Sequence, residues 1–403
     1  IGARANYNFN DIVAVKAFWG VPRLGKKQVF MAGMDSDDPF FGLGLSNVNL
    51  AGADVSFSLS SLLDMDAVSL GIEGSILNKH EAVTDALAAR GCKPNTLGWS
   101  GRVNFDYDGF YARGEYVDAG KQIVSVYSLD APERGNAQLL ELGYNNRGLG
   151  LSVTGRRMDR MVQKIYSYTS SDPGYGTTAN MLSYRPAMST QYTYMLTTLN
   201  PYAPEIGDKV IRAGEIGGQI DAFYNFRRGT KIGGKRGMKV HANFSTYYTL
   251  SAEGSYAPGN LLFRDFSFDV EKQFTKEFKM VFLYSLQEYN PTYGNYTTTW
   301  LSNIFVADLL YKWTPSLSTR LELQYLTTYE DKKDWMAALL EVNFAPHWSV
   351  WGSDMYNHGS TKMHYYNAGV SYAKGRTRLA VGYGRYKDGF ICSGGVCRQI
   401  PQY

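Results

Sequence analysis

Apolar and polar side chains alternate strictly over segments of about ten residues, and the pattern recurs along the whole chain. In Leu317 to Thr327 one face carries Leu317, Thr319, Leu321, Leu323 and Tyr325, while the other carries Ser318, Arg320, Glu322 and Gln324. Successive side chains of an extended strand point to opposite faces, so the two sets meet different surroundings. The same division sets Leu97, Trp99, Val103 and Phe105 against Ser100, Arg102, Asn104 and Asp106. It sets Ile216, Ile220, Ala222, Tyr224 and Phe226 against Glu215, Gln219, Asp221 and Asn225. Further on, Met336, Ala338, Leu340, Val342 and Phe344 oppose Glu341 and Asn343, and Leu379, Val381 and Tyr383 oppose Arg378 and Gly382.

Connections between these segments fall into two length classes, as the short turns and longer loops of a membrane barrel do. Turn formers mark the short ones at Asp106 to Gly109, Asn145 to Gly148, Trp313 to Ser316, Phe344 to His347 and Lys374-Gly375. Long ones lie at Gly20 to Asn49, Asn78 to Thr96, Asp118 to Gly135 and Gln287 to Ser302. The alternation of short and long slips between Asp159 and Pro186, where an extra short strand over Lys164 to Tyr168 would restore parity. The expected fold is all-β: a transmembrane antiparallel up-and-down β-barrel of roughly 18 to 22 strands. No composition shift divides the 403 residues, so one barrel domain is expected over 1–403. The chain enters inside an alternating segment (Ala3, Ala5, Tyr7, Phe9) and ends on Gln399-Ile400-Pro401-Gln402-Tyr403, which does not alternate. Part of an N-terminal end and a closing C-terminal strand are therefore expected outside this sequence.

Helical spanning is excluded, because apolar runs such as Met336 to Leu340 fall far short of the ~20 residues a membrane helix needs. A soluble sandwich would also alternate, but the segments have bilayer-crossing length, and no blade-length repeat supports a propeller. The 41 basic and 37 acidic residues leave a net charge of +4 with no basic tract, so no nucleic-acid partner is expected. No signal peptide is visible, and with Ile1 rather than Met at the start, export remains open. Aromatic residues gather near expected strand ends at Trp313, Phe344, Trp348, Tyr372 and Tyr383, where amphipathic rings suit bilayer interfaces.

The polar faces place Arg102, Arg113, Glu115, Glu215, Asp221, Arg320, Glu322, Glu341, Arg376 and Arg378 in the barrel interior. Both signs are present in similar number, which implies cross-strand pairing rather than a single-sign selectivity ring. Cys392 and Cys397 flank a glycine-bearing loop suited to a disulfide or to two free thiols, and Cys92 is left over. No His or Cys spacing provides a metal site, and no glycine-rich phosphate loop is present, so neither metal nor cofactor is expected. Asp354, His358 and His364 lie near one loop, but no nucleophile accompanies them and a solvated turn accounts for them; the chain is not expected to be an enzyme.

The segments Ala337 to Ser349, Ser353 to Asn357, His364-Tyr365-Tyr366-Asn367, Cys392 to Arg398 and Gly214 to Gln219 together resemble an uncharacterised outer-membrane protein family of Bacteroidetes. The resemblance implies a barrel in the outer membrane of a Gram-negative cell and brings no catalytic residues with it. It also implies a further strand after the cysteine loop. Two functions follow as expectations. The first is a non-enzymatic accessory subunit of a larger outer-membrane complex for secretion, uptake or protein insertion, touching lipid and other envelope proteins. The second is a porin-like passive or plugged channel, since a barrel of this strand number encloses more space than its own side chains fill. Long Tyr- and Gly-rich loops such as Ser170 to Tyr184 offer recognition surface and favour the first. Thr297 to Thr299, beside Trp300, is a candidate polar interruption of the lipid-facing stripe.

Overall fold

The computed structural model describes residues 2–21, 48–83, 85–122, 132–161, 163–164, 178–179, 192–199, 214–292, 294–387, 389–393 and 396–400. The first half of the wall comprises β1 (Gly2–Phe9), β2 (Val13–Gly20), β3 (Asn49–Ser58), β4 (Val68–His80), β5 (Asn95–Tyr107), β6 (Phe110–Gln122), β7 (Glu133–Asn146) and β8 (Leu149–Asp159). Two short strands, β9 (Gln163–Lys164) and β10 (Thr178–Ala179), pair with each other and, among the described residues, with no wall strand. The wall resumes with β11 (Glu215–Phe226), β12 (Met238–Leu250), β13 (Pro258–Gln273), β14 (Phe278–Tyr289) and β15 (Trp300–Lys312). It continues through β16 (Leu317–Thr327), β17 (Trp335–Phe344), β18 (Trp348–Asn357), β19 (His364–Lys374) and β20 (Thr377–Gly384). A separate hairpin, β21 (Gly389–Ser393) and β22 (Val396–Ile400), follows.

The wall is one 18-stranded antiparallel sheet. Each wall strand pairs with the one before it in sequence, and β8 pairs directly with β11 across the connection 160–214. That pairing makes an extra strand over Lys164 to Tyr168 unnecessary for parity. Parity holds without it, because β8 ends and β11 begins on the same long-loop rim; Lys164 sits in the small β9–β10 sheet, and 165–168 lie outside the described residues. Among the described residues no ladder joins β1 to β20, and both edge strands are exposed along almost their whole length.

Short turns gather on the opposite rim. Asp108 (φ 44°) and Gly109 (φ 83°) both take the left-handed conformation, as do Arg147 (φ 50°) and Gly148 (φ 93°), which is the two-residue turn that matches strand twist. A side chain at 109 would bring its Cβ within 2.7 Å of the Asn145 carbonyl oxygen, so glycine is required there.

The burial pattern inverts that of a water-soluble protein. Outward-pointing Ile76, Leu97, Trp99, Leu140, Ile220, Phe244, Phe266, Phe305, Leu323, Leu340 and Val350 are exposed, whereas inward-pointing Ser100, Glu115, Thr154, Asn243, Asp265, Ser285 and Glu322 are buried. Backbone groups are satisfied strand to strand while apolar side chains face out, as a hydrocarbon surrounding demands. On the short-turn rim Phe344, Trp348 and Tyr372 share one cross-strand row, and Trp313 packs 4.6 Å from Tyr311. Tyr383 departs from the expected interfacial position. It shares a row with Ala368, Gly352 and Leu340 at mid-height, because β20 pairs only with residues 367–374 of β19.

Candidate functional site

The inner face of β2 to β6 is organised around Arg102. Its guanidinium bonds Glu73 Oε2 from Nε (3.0 Å) and Nη2 (2.8 Å), Ser75 Oγ from Nη1 (2.8 Å), and Asp54. Glu115 Oε1 lies 3.9 Å away and Lys16 approaches Asp54 at 3.7 Å, so one cation is held among three carboxylates with a second cation at the edge. Two further knots follow around the wall. Arg156 donates to Glu215 Oε1 at 2.7 and 3.0 Å with both side chains buried, and Arg320 donates to Asp308 (2.8 and 2.9 Å) and Glu322 (2.8 Å). Such pairs need full hydrogen bonding to offset desolvation, and these arginines use their fork geometry to provide it.

Against the other half of the inner face lies a segment that belongs to no strand, residues 192–199. Leu196 is fully buried there and packs with Tyr194 into a cluster with Leu283, Ile304, Val306 and Leu326 of the wall. Polar contacts fix it to five consecutive strands. Tyr192 donates to Asp269 Oδ2 (2.5 Å) beside His241, whose ring bridges Asp221 and Asp269 at 2.6 Å each. Gln287 Nε2 donates to the Thr197 carbonyl (3.1 Å), Tyr194 donates to Asp308 Oδ2 (3.3 Å), and the Leu196 N–H donates to Gln324 Oε1 (2.8 Å). Burial first, then Asp269, raises the Tyr192 phenol above its ordinary range; burial with Asp308 and Glu322 does the same for Tyr194, so both remain donors. Removing Leu196 from water contributes about 2 kcal/mol and each bond about 1 kcal/mol, enough to hold the segment inward.

Of the residues expected in the interior, Arg102, Glu115, Glu215, Asp221, Arg320, Glu322 and Glu341 point to the inner face and take part in these networks or sit in the same rows. Arg113 shares its row with inner-face Asn104 and Glu141 and lies 5.2 Å over the Tyr111 ring. Arg378 shares the inner parity of Ala373 but is exposed. Arg376 is corrected: it sits in the turn between β19 and β20 and belongs to neither face of the wall, because the strand pairing closes at Lys374 and Thr377. Sequence reading put Gln324 on the polar face of its strand but passed over the 192–199 segment and its receptors His241, Asp269 and Asp308. The usable signal was the apolar run Tyr194-Met195-Leu196 inside a long connection.

A family model described as a family of unknown function (DUF6029) matches residues 1–403. The chain belongs to that family. No curated protein matches it. Among solved structures the DUF6029 chain is similar to the ferric-catecholate import receptor Fiu from E. coli K12, with 11% identity over 94% of this chain and 67% of that one, at a TM-score of 0.35. It is also similar to a triple mutant of the Rhodopseudomonas blastica porin, with 9% identity over 94% of this chain and 100% of that one, at a TM-score of 0.32.

In this DUF6029 chain Asp354 and His364 pair at 2.7 Å on the outer face, while His358 lies in the adjacent loop and stacks 5.6 Å from Tyr325. Thr299 bonds Glu288 Oε1 (3.0 Å), and Glu288 pairs with Arg264 (2.8 Å), so the outward stripe does turn polar next to the long-loop rim. Backbone register sets Cys392 directly opposite Cys397 in the β21–β22 hairpin, but their side chains lie outside the described residues, as does most of Ser170 to Tyr184. Cys92 is buried. Among the described residues no group of three or more His, Cys, Asp or Glu could hold a metal ion.

Proposed function

We propose that this chain is an outer-membrane channel of a Gram-negative bacterium, constricted from within by residues 192–199. The observation that carries the reading is the packing of Leu196 and the anchoring of Tyr192, Tyr194 and Thr197 on the inner face of β12 to β16. The segment fills one side of the interior with apolar surface, while charges of both signs line the other, which favours a pore without strong preference for ion sign. Outward apolar side chains support the membrane location, and the resemblance to Bacteroidetes outer-membrane proteins supports the outer membrane of such a cell. Planar-bilayer conductance tests the constriction. The combined variant Tyr192→Ala, Tyr194→Ala, Leu196→Ser is expected to raise single-channel conductance severalfold; a wild-type conductance already that of an open barrel and unchanged by the variant would sink the reading.

A second reading, a subunit of a larger envelope assembly for secretion, uptake or protein insertion, is favoured by the exposed edges β1 and β20. Edge N–H and C=O groups without partners are costly in lipid, and among the described residues β1 and β20 are open on one side, where a further strand, of this chain or of another, would satisfy them. Mild-detergent extraction that yields stoichiometric co-purification of another envelope protein supports it, and a single species of monomer mass removes it.

A further inference from the structure

We propose that the barrel mouth on the short-turn rim carries a binding site for a phosphate-bearing anion. An open recess of about 560 Å³ lies between the β7–β8 turn, the β11–β12 connection and the adjoining ends of β12 and β13. Its lining includes Arg147, Arg227, Arg228, Arg236 and Lys239, and the one acid among the lining residues, Glu271, is already paired with Lys279 at 2.8 Å. Among the described residues none of these four arginines lies within ion-pair distance of a carboxylate. Lys239 stands opposite Glu271 in the β12–β13 register, and its ammonium lies 5.3 Å from the Phe223 ring.

The loop that presents these charges is built rather than trailing. Gly229 N–H donates to the Gly234 carbonyl (2.7 Å), Gly234 N–H to the Thr230 carbonyl (2.7 Å), and Thr230 Oγ1 to the Arg227 carbonyl (2.8 Å). Lys272 Nζ ties it to the wall through the carbonyls of Ile232 (3.0 Å) and Gly233 (2.7 Å). Gly237 (φ 85°) and Gly148 shape the floor in conformations that other residues rarely adopt. Cations brought together from separate parts of the chain repel one another, and with five of them against Glu271 in the lining and Glu277 near Arg236, the excess positive charge is relieved by an external anion. Guanidinium forks match phosphate oxygens two at a time, and the volume is that of a small-molecule site rather than of an extended peptide track.

The phosphate has two possible sources, a phosphorylated solute at the mouth or the headgroup of an anionic phospholipid in the adjacent leaflet. Protein purified in an uncharged detergent is titrated with inorganic pyrophosphate by calorimetry, and retention of phosphatidylglycerol from mixed micelles is read by native mass spectrometry. Wild type is compared with the combined variant Arg227→Gln, Arg228→Gln, Arg236→Gln, and with Lys332→Gln, Lys333→Gln, Lys362→Gln on the opposite rim as a charge-matched control. The expected result is binding of at least one probe, weakened roughly tenfold or more in the arginine variant and unchanged in the control. Pyrophosphate binding assigns the solute, and lipid retention alone assigns the headgroup. Binding of neither probe, equal loss in both variants, or preference for polyglutamate over pyrophosphate would overturn the site.

Discussion

Arg102 shows how a single side chain can organise part of an inner wall. Three other strands send it partners, and taking the cation away would leave Asp54, Glu73 and Glu115 facing one another in a water-poor interior. Arg102→Met is expected to destabilise the folded barrel by about 3–5 kcal/mol, read as a lower urea midpoint in detergent. Arg376→Ala in the neighbouring turn class should stay within about 0.5 kcal/mol of wild type. Equal midpoints for the two variants would mean that the inner network contributes nothing beyond solvation. Alternation in the sequence assigns Arg102 to its face without difficulty, but it cannot separate Arg376 from Arg378, since a turn boundary shifted by one residue exchanges wall for loop.

Strand pairs carry a recurring device that only register reveals. An inward aromatic ring lies over a glycine directly opposite it on the next strand: Phe18 over Gly52, Tyr111 over Gly143, Phe223 over Gly150 and Trp351 over Gly369. A Cβ added at Gly150 would stand 2.2 Å from the Phe223 ring, and one at Gly369 2.3 Å from Trp351. Covering the glycine with the neighbouring ring shields a weak point in each ladder. Gly150→Val should therefore cost about 1–3 kcal/mol through displacement of Phe223, whereas Gly101→Ala, which meets nothing within 4 Å, should be neutral or slightly stabilising. Thermal midpoints of the two variants check this, and a midpoint for Gly150→Val at or above that of Gly101→Ala would remove the packing argument. Strand existence, turn class and facing were legible because period-two patterning encodes them locally. Partner identity was not, since it depends on which residue of a distant segment stands opposite.

At the scale of the molecule, sidedness is the property most open to test. Trp99 and Trp348 point outward and are exposed, whereas Trp335 is buried against the inner face beside Tyr365. In single-tryptophan variants reconstituted with brominated lipid, Trp99 and Trp348 fluorescence is expected to be strongly quenched and Trp335 much less. Similar quenching at all three would reverse the assignment of inside and outside. The barrel as a whole was readable from the sequence, as were the two rims. The inward segment was not, because residues 192–199 sit within a connection whose composition resembles that of any external loop, and inward folding is decided by receptors on five other strands. The basic turn Arg227-Arg228 to Lys235-Arg236 was present in the sequence as a local run, masked there by the near balance of charge over the whole chain.

The pairing of β8 with β11 bears on the order in which the wall can assemble. Every other ladder joins strands that a shorter connection already holds near each other, so each can close as a hairpin and grow by local search. Between β8 and β11 the intervening 160–214 must be looped out first, and loop-closure entropy rises by about 0.6 kcal/mol for every doubling of length. Two hairpin arrays, β1–β8 and β11–β20, can thus mature separately and meet at this seam. Once they meet, the same stretch of chain that delays the joining delivers residues 192–199 to the interior, so the slowest seam to form is also the one that brings in the constriction.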